Sequence, residues 1–115
     1  MRIVRGGHDV DYETYQALLV TELVQHVRAA LEDAGMEGEL LRDLVAEIAS
    51  GFGSIIDGSA SISTDDDDSP LTPILGFARG RLRDRLLLPE QGGGSSLHEF
   101  VWGAVAREFE GEGDD

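Results

Sequence analysis

Apolar residues recur three and four positions apart at Tyr12, Tyr15, Leu19, Leu23, Val27 and Ala30, with Leu18, Val24 and Leu31 beside them. That spacing lines one face of a helix. It predicts a first helix over residues 11–34, capped by Asp9 or Asp11 and stopped at Gly35, a residue suited to the left-handed turn that ends helices. After Gly38 the rhythm resumes at Leu41, Leu44, Val45, Ile48, Phe52, Ile55 and Ile56. Two endings compete. The helix either stops near Ser50, with a strand from Phe52, or runs to Ile56 and turns at Asp57-Gly58. A glycine inside a helix costs about 1 kcal/mol, yet the stripe stays in phase across Gly51 and Gly53. The pattern therefore favours a helix over 39–56, with those glycines allowing close approach to the first helix.

Residues 58–70 read as a loop, small and polar and then acidic at Asp65 to Asp68, with a short edge strand an option within Ala60 to Ser63. Strand formers follow at 71–78. Arg79, Arg81, Arg83 and Arg85 then alternate with other residues before Leu86-Leu87-Leu88. A period of two places alternate side chains on one face of a strand, so the four arginines read as a stripe. The expected element is a hairpin pairing about 72–78 with 83–88, its turn near Gly80; the rival is an amphipathic helix over 79–88. Pro89 ends this element and Gly92-Gly93-Gly94 makes a flexible connector. Ser96-Leu97-His98-Glu99 fits the capping box, serine at the cap and glutamate three residues on. It opens a last helix over 96–109. The expected fold is one α+β domain over 1–109, helices on one face of a short antiparallel sheet, with a disordered acidic tail at 110–115.

Composition adds the charge. The 115 residues carry 23 acids and 9 bases, a net charge of −14, and every base is an arginine. Such an excess opposes direct binding to nucleic acid or anionic membranes. It allows a basic partner. Cysteine is absent, which excludes disulfides, thiolate metal sites and a cysteine nucleophile. The N-terminal stretch lacks the apolar run of a signal peptide and no segment is apolar enough to span a bilayer, so a cytoplasmic location is expected.

Candidate chemistry is sparse. Asp57, His98 and Glu99 carry metal-ligating or acid–base groups, but adjacent helical residues point about 100° apart, and the spacing is not HExxH. The glycines before Ser95 could cradle a phosphate on free amides, though a linker with an ordinary cap accounts for them. His8, Asp9 and Asp11 coincide with a helix start, and Asp65 to Asp68 lack the spacing of an EF-hand. His26 borders the apolar stripe of the first helix. The arginines at 79, 81, 83 and 85 could grip an anionic partner bidentately or pair with the chain's own acids. Phe100 and Trp102 flank the last helix and offer apolar surface beyond what one core face needs.

No nucleophile–base pair or cofactor loop stands out, so the sequence leans away from an enzyme and implies no cofactor. It reads as a small acidic protein of bacterial type, a non-catalytic protein–protein interaction module whose partner is itself or a basic protein. The alternatives are an inhibitor or immunity protein that masks a basic macromolecule, as a DNA mimic does, and a small metal-binding or hydrolytic domain.

Overall fold

The structure, a computed structural model, describes residues 2–5, 10–58, 71, 73–79, 85–89 and 94–110. The fold is α+β. Its elements run β1 (Arg2–Arg5), α1 (Val10–Asp33), α2 (Gly38–Ile56), β2 (Phe77–Arg79), β3 (Arg85–Leu88) and α3 (His98–Glu108). The acidic loop, the Ala60–Ser63 option and the tail from 111 lie outside the described residues, as do His8 and Asp9.

The long periodic segments fold as their spacing predicts. Helix α1 begins at Val10, so Asp11 lies inside its first turn and is not its cap. There its carboxylate complements the positive end of the helix dipole. Gly35 (φ +92°) closes α1. The Met36 amide donates to the Leu31 carbonyl at 3.0 Å and the Gly35 amide to that of Glu32 at 2.9 Å. These two bonds make a Schellman turn, which satisfies carbonyls the helix end would leave unpaired.

Helix α2 takes the longer of its two endings, reaching Ile56 and turning at Gly58 (φ +80°). Of its two internal glycines only Gly53 is constrained. A Cβ there would lie 3.2 Å from the His98 amide nitrogen and 3.4 Å from Leu97 Cβ, whereas one at Gly51 would meet nothing within 4 Å. The close approach is thus to α3, not to α1 as the sequence suggested.

The helices pack on one another. Val20 and Val24 of α1, Leu41, Val45 and Ala49 of α2, Val101 and Val105 of α3 and Leu97 just before it are buried in one apolar cluster. A three-stranded sheet adjoins this bundle. It meets α1 through Phe77, whose ring stands edge-on to Tyr12 and Tyr15, each centroid 5.6 Å away. The predicted hairpin is present, shortened to β2 and β3 and antiparallel, with Phe77 opposite Leu87. The sheet has a third strand that the sequence pattern did not signal. Strand β1 pairs in parallel with β3, Ile3 opposite Leu86, giving the order β1-β3-β2.

Candidate functional site

The groups that converge in this fold do so at the start of α3. Asp57 follows the last residue of α2, and Gly53, one turn earlier, lets that helix end press against the residues that open α3. The Asp57 carboxylate is thereby driven into the N-terminus of α3, its side chain only 2% exposed. Its Oδ1 accepts the Ser95 hydroxyl at 2.6 Å and the Leu97 amide at 2.8 Å. Its Oδ2 accepts the His98 amide at 2.9 Å and lies 2.6 Å from His98 Nδ1. An ionised carboxylate only accepts, so Nδ1 carries the proton of that contact. In the neutral ring the lone pair then belongs to Nε2, on a side chain 47% exposed.

Burial by itself would raise the pKa of Asp57. The hydrogen bonds from the His98 amide, the Ser95 hydroxyl, the His98 ring and the Leu97 amide outweigh it, and the carboxyl is held below its usual range. The same negative charge, added to burial, pushes the Tyr12 hydroxyl up to about 12. Tyr12 donates to the Leu75 carbonyl at 2.8 Å. One turn on, the buried Gln16 side chain accepts the Ser96 amide at 2.6 Å. Two residues of α1 thus fix the segment that leads into β2 and the one that leads into α3.

This geometry replaces the capping box expected at Ser96–Glu99. Ser96 offers no side-chain cap; its carbonyl accepts the Glu99 amide at 3.0 Å, while Asp57, about forty positions away, supplies the cap. Of the phosphate reading of the glycine connector, Gly92 and Gly93 lie outside the described residues. The amides of Ser96, Leu97 and His98 are already given to Gln16 and Asp57, so they are not available to an anion. Ser95 and His98 bind opposite oxygens of one carboxylate. In a Ser-His-Asp triad the hydroxyl bonds to the imidazole, and here it bonds to the acid instead.

Of the sequence-derived metal candidates, Asp57 and His98 come together and Glu99 stays exposed on the next position of α3. No group of three or more histidine or acidic side chains converges as a metal site among the described residues. Arg79 ends β2 and Arg85 begins β3, where they are register partners on neighbouring strands, not members of one strand's stripe. Arg81 and Arg83 lie outside the described residues. Phe100 packs half-buried against the helical cluster, so it is not spare surface; Trp102, one turn beyond His98, is 67% exposed.

Two further features escaped sequence reasoning. An open, mostly apolar groove of about 410 Å³ lies between α1 and β2, lined by Tyr15, Leu18, Leu19, Glu22, Phe77 and Ala78. On α2, Leu40, Ile48, Phe52 and Ile55 are 57%, 44%, 49% and 45% exposed. The periodicity of Ile48, Phe52 and Ile55 was legible, but periodicity alone does not say which part of a wide apolar face the rest of the fold covers. No helix among the described residues is long and apolar enough to cross a membrane. The chain matches no protein-family model, and neither the curated proteins nor the solved structures contain a match to it.

Proposed function

We propose that this chain is a non-catalytic protein-binding module that engages its partner through the outer side of α2. The observation that carries the reading is the row Leu40, Leu44, Ile48 and Phe52, four residues apart, with three of them among the most exposed large apolar side chains. Scattered exposed leucines are ordinary, but a continuous apolar row along one helix marks an interaction surface. The Asp57 cluster supports a structural role in the same molecule. Its carboxylate is engaged in holding α3, and among the described residues Ser95 bonds to Asp57 rather than to His98.

The test is capture by the immobilised chain, comparing wild type with an Ile48→Asp/Phe52→Asp variant whose circular dichroism matches wild type. A protein retained by wild type and lost from the variant supports the reading. Equal retention by both chains overturns the role of α2.

A further inference from the structure

Residues four apart form ridges along a helix. On α2 the ridge Leu41, Val45, Ala49 and Gly53 is buried. The next ridge, Leu40, Leu44, Ile48 and Phe52, is the partly exposed apolar row described above. The ridge beyond it is Glu39, Asp43 and Glu47, each exposed. A partner helix laid on the apolar ridge therefore has a line of carboxylates along one border of its contact.

A second copy of this chain fits that surface poorly. Pairing two such faces brings like charges to the flanks of an apolar seam, where they oppose association, between chains that each carry −14. The row also spans only a little over three turns, roughly 18 Å at 1.5 Å per residue. A seam of that length has little apolar area to set against the repulsion of like charges.

Resting on the reading of α2 as the docking face, we infer that its occupant is a basic amphipathic helix of another protein. The partner's apolar stripe covers Leu40, Leu44, Ile48 and Phe52 while its lysines or arginines face Glu39, Asp43 and Glu47. The apolar ridge supplies the burial. The acidic ridge supplies orientation, a faster encounter and rejection of acidic helices.

Fluorescence anisotropy with two labelled four-turn helical peptides tests this. Both carry the same leucine stripe, flanked by lysine in one and by glutamate in the other. The lysine peptide is expected to bind, and the glutamate peptide to bind at least tenfold more weakly. Reversing the acidic ridge (Glu39→Lys/Asp43→Lys/Glu47→Lys) should weaken the lysine peptide by about tenfold, the scale of three exposed ion pairs acting together. Reversing three exposed acids of α1 (Glu13→Lys/Glu22→Lys/Asp33→Lys) changes the net charge equally and should cost much less.

Equal binding of the two peptides overturns the basic partner while leaving α2 as a docking face. Equal weakening by both triple variants shows a net-charge effect and also overturns it. If neither peptide binds and light scattering shows a dimer that Ile48→Asp abolishes, the occupant is a second copy. If neither binds and the chain is monomeric, the docking reading itself fails.

Discussion

Asp57 holds His98 twice, through the backbone amide at 2.9 Å and through Nδ1 of the ring at 2.6 Å, with both contacts on one carboxylate oxygen. The far end of the same helix is held in a similar way. Arg28 of α1 donates from Nη1 to the Glu108 carbonyl at 2.7 Å, and its guanidinium carbon lies 4.3 Å from the centre of the Phe109 ring. An acid from outside α3 sits at its positive end and a base from outside at its negative end, each complementing the helix dipole. The orientation of α3 is therefore set by charge as well as by burial.

Removing the acid should be costly. Asp57→Ala leaves the Leu97 and His98 amides without their acceptor, and a loss of roughly 3 kcal/mol is expected in urea unfolding at neutral pH. Asp57→Asn keeps the shape but turns an NH₂ group toward donors, so it should lose about 2 kcal/mol. A loss within 0.5 kcal/mol of zero, the ordinary surface range, would show that the cap is incidental.

The pH dependence follows from the lowered pKa of Asp57. A carboxyl held lower in the folded chain than in the unfolded one stabilises the fold above the ordinary carboxylate range. That contribution disappears as pH falls through the folded value. The stability gap between wild type and Asp57→Asn should accordingly be full at pH 7 and shrink as the solution is taken below about pH 4. A gap that is constant or grows on acidification contradicts the assignment.

Tyr12 gives the alkaline counterpart. Its pKa is raised to about 12 by burial and by Asp57, so the stability tied to its neutral hydroxyl is present below about pH 10, the unfolded value, and lost as pH rises from there through about 12. In a spectrophotometric titration Tyr12→Phe should delete a late-titrating phenol. Loss of a phenol with a midpoint near 10 would refute the burial argument.

The two glycines of α2 should part company. Gly51→Ala places its methyl in open space and gains helix propensity, for an expected stabilisation of about 0.5–1 kcal/mol. Gly53→Ala must push apart the contact with Leu97 and His98, so a destabilisation of about 1–2 kcal/mol is expected despite the better propensity. Thermal unfolding of the two variants distinguishes them by sign.

The legible part of this fold is the part with a long period. Helices α1 and α2 repeat their apolar spacing over several turns, and even the passage through Gly51 and Gly53 could be settled by phase. Strand β1 could not, because four residues hold too little alternation and its partner β3 stands near the other end of the chain. Asp57 and His98 could be named as chemically able residues. That they meet as cap and helix start depends on how the end of α2 lies against α3, which no local pattern encodes. Gln16 left a trace, being a polar residue one turn from Tyr12 on a face that must be buried, and a buried amide needs a partner. Ser95 left none, since its role exists only once Asp57 has arrived.

Strand β1 also bears on the order of events during synthesis. Its pairing partner, Arg85 to Leu88, is made only after both long helices have been completed. The contacts between α1 and α2 close short stretches of chain, whereas joining β1 to β3, like docking α3 on α1, closes about 80 residues, a slow step for reasons of loop entropy. On a ribosome the first strand must therefore wait, its backbone unpaired with β3, while α1 and α2 pack behind it. The pairing of β1 with β3 and the docking of α3 on α1 are expected to be the last seams of the molecule to close.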